Sequence, residues 1–343
     1  MRVLMICPEL PSEQNPGSMA PGARQIDSIR DAGVAVQIVD MRGIPKFKYL
    51  QVIPKVCRAI RQVDLVHAHF GYCGWLALLG RRLSMRHVPI VMSYMGDDLL
   101  GTPRDEQGSL EKSSVWAAKM NIRLAKRYEE IIVKSQEMAE RLRPVGCHVI
   151  PNGVDLNIFQ PNSRAEARQR LGWSQQGEKV LFPGDPKNPR KGFQLAQAAV
   201  SLAEAEWGRS LELVPLWGIK PDLVPVYMNA CNTMLMTSLI EGSPNVVKEA
   251  LACDANVVAV PVGDAHQMLA GVSNCERVSR EPEEVAAALC AVLRKNQPSD
   301  GRKVLEQRRL SLDGVAQQVI EVYRRALTKG GPKSQASRDA RPE

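Results

Sequence analysis

Two glutamates, Glu241 and Glu249, stand eight residues apart in the stretch EGSPNVVKE. Between them Gly242, Ser243 and Pro244 turn the backbone. The spacing predicts a helix starting here and running to about residue 251, with Ser243 as N-cap and Pro244 at the first helical position. Glu249 then sits about two turns in. The free amides at such a helix start suit an anion such as a diphosphate. The ionised carboxylates suit hydroxyls, because each accepts several hydrogen bonds. An ordinary strand–helix–strand unit with two solvated glutamates fits the same pattern equally well. A second cluster, Lys187, Arg190 and Lys191, occupies the loop 186–192 between a strand and a helix, where it neutralises a phosphate or is simply solvated. A third set lies in the first half. His67 and His69 close the strand DLVHAH, and Asp97 and Asp98 follow the strand 89–94. Carboxylates just past the carboxyl end of a parallel strand lie where open α/β sheets bind ligands. Helix capping accounts for the aspartates as well, and a satisfied, partly buried ring accounts for His69.

The elements that must position these residues alternate along the whole chain. Short apolar runs at 2–6, 35–40, 64–69, 89–94, 130–133 and 148–150 read as buried parallel strands. Helices are expected at 25–32, 50–62, 74–83, 115–128 and 136–142, the last capped by Ser135. A long loop at 8–22, rich in Pro, Gly, Ser and Asn, follows the first strand, a common place for function. The segment PNGVD at 151–155 is a turn-rich crossing. Beyond it strands at 180–182, 211–216, 233–236 and 257–260 alternate with helices at 165–171, 193–204, 223–230 and 282–293. An edge strand is expected at 276–279 and a last amphipathic helix at 313–327. This is an α/β chain of two Rossmann-like domains facing each other, residues 1–155 and 160–310. A helix at 311–328 follows, and then a polar, disordered tail at 329–343.

At 343 residues and 44% hydrophobic, the chain has material for two cores. A net charge of +8 favours anionic partners. Aromatics at 5% argue against base stacking, so no nucleic-acid partner is expected. The basic residues Lys46, Lys48, Lys55, Arg58 and Arg61 in or near the helix 50–62 form a solvated face, or touch anionic lipid or an acidic acceptor. Eight cysteines without a C-x-x-C pair read as free thiols of a reducing compartment. The chain opens on a strand with no signal peptide, and no apolar run is long enough to cross a bilayer, so a cytoplasmic protein is expected. No G-x-G-x-x-G follows the first strand and there is no P-loop, which disfavours nicotinamide and flavin enzymes and P-loop nucleotide binders.

Four stretches carry a resemblance: DLVHAHFG at 64–71, VIPNGVDLNIF at 149–159, PRKGFQLA at 189–196 and EGSPNVVKE at 241–249. Together they resemble glycosyltransferase family 4, whose members have the GT-B fold, and within it a subgroup making bacterial surface polysaccharides. The resemblance implies a retaining transfer of a sugar from a nucleoside-diphosphate sugar, UDP- or GDP-linked, to a hydroxyl of a glycan or lipid-linked acceptor. It implies a C-terminal helix returning to the first domain. The basic surface of the first domain, read from the residues, adds an expected peripheral contact with the inner face of the membrane. By the same resemblance Glu249 binds the ribose, and Glu241 sits by the donor sugar. The backbone of Ser243, Pro244, Asn245 and Val246 meets the sugar or diphosphate, while Arg190 and Lys191 stabilise the departing diphosphate. Asp98 matches the aspartate of the motif ending the fourth strand and is counted with Glu241, Arg190 and Lys191 among the catalytic residues. Gly17 is the nearest match to the family's paired glycines, and His69 belongs to the binding set. No D-x-D motif occurs at a plausible site, so no metal is expected. Two positions depart from the pattern: Met95 stands where many members have a histidine, and Asp185 where many have an arginine. A catalytically silent GT-B scaffold in a polysaccharide-assembly complex is the alternative reading.

Overall fold

The computed structural model describes residues 1–15, 17–42 and 48–329, with the side chains of 48 and 49 excepted. The expected tail beyond 329 and Lys46 of the basic cluster lie outside the described residues. The chain divides into two compact units. Unit 1 takes Met1–Gly101, Ser113–Pro151 and the segment from Asp313 onward, and unit 2 takes Thr102–Lys112 and Asn152–Leu312. Residues 102–112, placed with the first domain on sequence, thus cluster with the second.

Unit 1 runs β1 (Arg2–Cys7), α1 (Ala20–Asp31), β2 (Ala35–Asp40), α2 (Lys48–Ile60), β3 (Leu65–His69), α3 (Gly71–Ser84), β4 (Ile90–Ser93), α4 (Asp97–Leu100), α5 (Lys112–Ala125), β5 (Glu130–Val133), α6 (Gln136–Leu142) and β6 (His148–Val149). Its six strands form one sheet in the order β2-β1-β3-β4-β5-β6, every neighbouring pair parallel. The central strands are mostly apolar because both faces are covered: Val3–Cys7, Leu65–His69, Ile90–Ser93 and Glu130–Val133 are buried residue by residue. Ser135 caps α6 as expected, its Oγ accepting from Met138 N at 3.4 Å.

Unit 2 runs α7 (Arg164–Arg170), β7 (Glu178–Phe182), α8 (Phe193–Trp207), β8 (Leu211–Pro215), α9 (Val224–Ala230), β9 (Thr233–Met236), α10 (Asn245–Ala252), β10 (Val257–Ala259), α11 (Ala265–Leu269), β11 (Glu276–Arg277), α12 (Pro282–Lys295) and α13 (Gly301–Gln307). Its five parallel strands are ordered β11-β10-β9-β7-β8, with β11 at the edge as expected. Its core packs Ala196, Ala199 and Ala203 of α8 with Val285, Leu289 and Val292 of α12 over Val180, Leu235 and Val258. The last helix, α14 (Leu312–Lys329), belongs from Asp313 to unit 1. Its Tyr323, fully buried, reaches His67 of β3.

Several helix bounds move from those expected. α1 begins at Ala20, five residues early, behind Met19 in the left-handed conformation (φ 48°). The short helices α4, α11 and α13 have no sequence signature, being too brief to show a 3.6-residue period. Both sheets reverse their direction of growth once, between β1 and β3 and between β7 and β9. At such switch points the loops leaving the two strands part and open a crevice at the carboxyl edge. The loops after β1 and β3 carry Gly17 and Phe70. The loops after β7 and β9 carry Arg190, Lys191 and Glu241.

Candidate active site

The loop after β7 makes a single 3-10 turn, Pro189–Lys191, begun by Asn188, whose Oδ1 accepts from Arg190 N at 3.1 Å. Gly192 then takes φ +65°, and a Cβ on it would lie 2.4 Å from the Thr237 carbonyl oxygen. Only glycine allows the two loops to approach so closely. The approach is held by Leu239 N donating to Arg190 O at 2.8 Å, and by Thr237 Oγ1 at 3.0 Å from both the Lys191 and Gly192 carbonyls. Arg280 braces the far side, its Nη1 donating to the carbonyls of Thr237 at 3.1 Å and Ser238 at 2.9 Å.

This strapping brings together residues about fifty apart in sequence. Lys191 Nζ sits 2.7 Å from Glu241 Oε1, and Arg190 Nη1 lies 3.8 Å from Glu241 Oε2. The Glu241 side chain is 12% exposed. Burial alone would raise its pKa, but Lys191, Arg190 and hydrogen bonds from Lys191 and Ser238 outweigh it, so the carboxyl lies below its ordinary value and is ionised at neutral pH. Two cations around one anion leave the cluster with net positive charge. Lys187 stands exposed outside it, and Asp185 closes the turn, its Oδ1 accepting from Lys187 N at 2.9 Å.

The start of α10 differs from expectation. Pro244, not Ser243, is the N-cap residue, and no side chain caps the helix. Ser243 turns inward instead. Its hydroxyl donates to Asp264 Oδ2 at 2.8 Å and accepts from Lys248 Nζ at 2.7 Å. Lys248 is 1% exposed. Burial lowers its pKa while Asp264 and Glu249 pull it back, and burial raises that of Asp264 against Lys248 and Ser243. The serine therefore bridges a buried ion pair, which fixes the Glu241–Ser243 turn from beneath. Gly263 (φ +53°) lets the next loop pass close under it, for a Cβ there would lie 2.7 Å from Gly242 O and 2.8 Å from Glu241 O. Val246 and Glu249 are half-buried on α10. Two acceptor atoms, Asn245 Oδ1 and Asp264 Oδ1, are buried without a hydrogen-bond partner.

Unit 1 carries its own cluster at the β1/β3 switch point. Asp98, 4% exposed, spends its carboxylate on backbone: Oδ1 accepts from Met95 N and Gly96 N at 2.9 Å, and Oδ2 from Gly71 N at 3.0 Å. Burial raises its pKa to about 6 against those three amides. Both loops it ties are contorted, with φ 80° at Phe70 and 147° at Gly96. Asp98 thus positions the loops after β3 and β4 rather than presenting a free carboxylate. His67 is saturated, with Nδ1 2.7 Å from Tyr323 Oη and Nε2 2.7 Å from Ser93 Oγ. His69 stacks on it at 4.1 Å between ring centroids, yet neither of its own ring nitrogens has a hydrogen-bond partner. Burial, with the nearby Lys134 charge, lowers its pKa to about 3, so the ring is neutral. It offers one donor and one acceptor, the complement of a hydroxyl. Gly17 lies in the turn before α1, and a Cβ there would meet nothing within 4 Å.

Residues 2–158 match the model of Glycosyltransferase Family 4, and residues 190–295 match that of Glycosyl transferases group 1. The chain is similar to the glycosyltransferases, and to family 4 over residues 2–158. A Bacillus subtilis (strain 168) glycosyltransferase ascribed to teichuronic acid biosynthesis, TuaC, is 26% identical over 67% of this chain and 64% of its own length. A D-inositol 3-phosphate glycosyltransferase of Mycobacterium ulcerans is 25% identical over 77% of this chain and 64% of that one. The chain therefore spans a little under two thirds of the length of the curated relatives it matches. Among solved structures, sucrose-phosphate synthase from Thermosynechococcus elongatus superposes with a TM-score of 0.74 at 18% identity, covering 95% of this chain and 99% of that one. Anabaena Alr3699/HepE, solved with UDP and glucose, gives 0.71 at 17% identity over 94% and 99%. These neighbours share the GT-B fold, and this chain has it.

Sequence reasoning missed Lys248, Asp264, Thr237 and Arg280. Lysine 248 sits one residue before Glu249 and reads as a solvated charge, and only its burial reveals the pairing. Gly192 and Gly263 were the available signals, each a glycine beside a site residue.

Proposed function

We propose that the chain is a retaining glycosyltransferase of polysaccharide or glycolipid synthesis, moving a sugar from a nucleoside-diphosphate sugar to an acceptor hydroxyl. The observation that carries this reading is the Lys191–Glu241–Arg190 cluster beside the uncapped start of α10. Negative charge builds on the leaving diphosphate in such a transfer, and fixed cations with helix-end amides stabilise it without reorganising. Glu241, held ionised between them, accepts from sugar hydroxyls and keeps the two cations in place before the donor binds. Asn245 Oδ1, buried and unpartnered, is a further acceptor for a donor hydroxyl. Glu249, further along α10, takes the ribose hydroxyls. In unit 1, neutral His69 takes a hydroxyl of the acceptor. These cations supply the charge that a metal would otherwise supply, so the transfer runs without a divalent ion. The relatives named above and the UDP complex of the Anabaena neighbour support a nucleotide-sugar donor.

The test is a calorimetric screen against UDP, GDP, ADP and their sugars, with and without magnesium, on the wild type and Glu249→Ala. One nucleotide should bind selectively, lose at least about tenfold in affinity in the variant, and be indifferent to EDTA. The product should keep the donor's anomeric configuration by NMR. Selective binding without turnover on any offered acceptor would favour the silent scaffold.

A further inference from the structure

Unit 2 has a second opening, at the amino edge of its sheet. The turns before β9 and β10, at 231–232 and 253–256, meet the segment 161–164 that enters α7, and together they line a cavity of about 410 Å³. That size is within the range of small-molecule sites. The candidate active site lies at the carboxyl edge of the same sheet. Strand β9 alone, four residues long, sets the two edges about 13 Å apart. Met228 and Pro298 give the cavity an apolar wall.

The lining holds polar groups that the chain itself leaves unanswered. Arg164 is half-buried, yet among the described residues no carboxylate lies within ion-pair distance of it. Its Nη1 donates to Asn296 Oδ1 at 3.0 Å, which leaves the rest of the guanidinium fork open. Burial and the neighbouring Arg168 both work against its charge. Arg168 itself is committed to the chain, donating from Nε to Ala230 O at 3.0 Å, from Nη1 to Gln175 O at 2.8 Å and from Nη2 to Asn232 Oδ1 at 2.7 Å. Asn232 Oδ1 also accepts from Lys179 N at 2.9 Å, so its carbonyl is filled while its NH2 group has no acceptor among the described residues. Asn256, 4% exposed, has the opposite gap: Nδ2 donates to Gln297 O at 2.9 Å, and Oδ1 is buried without a partner. Asp254 Oδ1 accepts from Arg302 N at 2.9 Å, and its other oxygen remains for a further donor.

We propose that this amino-edge cavity binds a uronic acid, as the free sugar or as a residue of a glycan, with its carboxylate on Arg164 and the Asn232 amide and its hydroxyls on Asn256 Oδ1 and Asp254. A half-buried guanidinium without a counter-ion selects an anion, because its charge is otherwise uncompensated, and its planar fork matches a carboxylate. Unanswered acceptors select hydroxyls, which donate to them. The charge count then separates carboxylate from phosphate. A phosphate monoester carries about −1.5 to −2, more than one guanidinium beside Asp254 neutralises, whereas a carboxylate carries a single charge. The site needs no nucleotide and no turnover, so it stands or falls independently of the donor reading.

The test is a saturation-transfer NMR titration of the full chain with glucuronate, galacturonate and mannuronate, against glucose and glucose 6-phosphate. At least one uronate should bind with a Kd on the order of 1 mM or tighter, and more tightly than glucose or the phosphate. Saturating UDP or GDP should leave that binding unchanged. Arg164→Ala should weaken it at least about tenfold, with Arg164→Lys between the two. Asn232→Asp keeps the acceptor that Arg168 and Lys179 hold and turns the donating NH2 into an oxygen, so it should abolish binding. Thermal unfolding of each variant is the folding control. Equal binding of the methyl glycoside of that uronate assigns a glycan residue, and its exclusion assigns the free sugar acid. No binding of any uronate, glucose bound as tightly, glucose 6-phosphate bound more tightly, competition by nucleotide, or binding untouched by both Arg164→Ala and Asn232→Asp overturns the proposal.

Discussion

Glu241 holds two roles that a single substitution separates. Removing Lys191 leaves a buried carboxylate with Arg190 at 3.8 Å and the Ser238 hydrogen bond, so its pKa should rise from its depressed value. Lys191→Met should lower stability by about 1–3 kcal/mol and kcat by about 10²–10³-fold, measured by urea unfolding and by steady-state turnover. The histidines of β3 set the acid limit. His69 is lowered from 6.5 to about 3, and His67 also lies well below 6.5 through burial and the neighbouring His69 and Lys134 charges. A group with a depressed folded pKa contributes stability that is fully present above its unfolded pKa and is lost as pH falls through the folded one. Each histidine therefore removes about 1.4 kcal/mol per pH unit below pH 6.5. Asp98, raised from 3.8 to about 6, works oppositely: its contribution is complete below pH 3.8 and lost as pH rises through 6. Denaturation at pH 7, 6 and 5 should show falling stability, and His69→Gln should flatten that slope. An unchanged slope would mean the ring is not buried neutral.

At the scale of elements, the donor-side cluster depends on how closely the turn after β7 approaches the loop after β9. Gly192 is the pivot, because it combines φ +65° with a neighbour 2.4 Å from where Cβ would be. Gly192→Ala should cost about 1–3 kcal/mol and move Lys191 away from Glu241. Nucleotide affinity should fall while the core of unit 2 stays folded, a split that calorimetry and near-UV dichroism would resolve. Thr237 and Arg280 hold the same approach through side-chain hydrogen bonds, so their loss should act in the same direction with smaller effect.

At the scale of the whole molecule, α14 follows a segment that lies in unit 2, yet it packs in unit 1. Its Tyr323 hydroxyl is 2.7 Å from His67 Nδ1 and its ring stands edge-on to His67 at 5.4 Å. Lys329 Nζ reaches Glu130 Oε1 of β5 at 2.7 Å. Tyr323→Phe should cost about 1 kcal/mol, and hydrogen exchange should speed up along β3 and β4 while β7 and β9 of unit 2 keep their protection. Faster exchange in unit 2 instead would show that α14 supports that unit.

Much of this was legible in the residues themselves. Apolar runs such as Val3–Cys7 and Thr233–Met236 are buried on both faces, so their composition alone marks them as central parallel strands. Pro282 with acids behind it and Arg294 and Lys295 at its end fixed α12. The EGSPNVVKE stretch placed Glu241 and Glu249 on a turn and helix, and both are there. What the sequence could not supply was which side chains meet across distant loops. Ser243 has the composition of an N-cap, but Lys248 and Asp264 offer its hydroxyl stronger, charged partners, so Pro244 takes the cap position. Asp98 reads as a catalytic carboxylate until three backbone amides from two loops are found on it. Local propensity is decided within a few residues and is written in the chain. Burial, the pairing of charges and the room beside Gly192 depend on segments fifty residues apart, and only tertiary packing sets those distances.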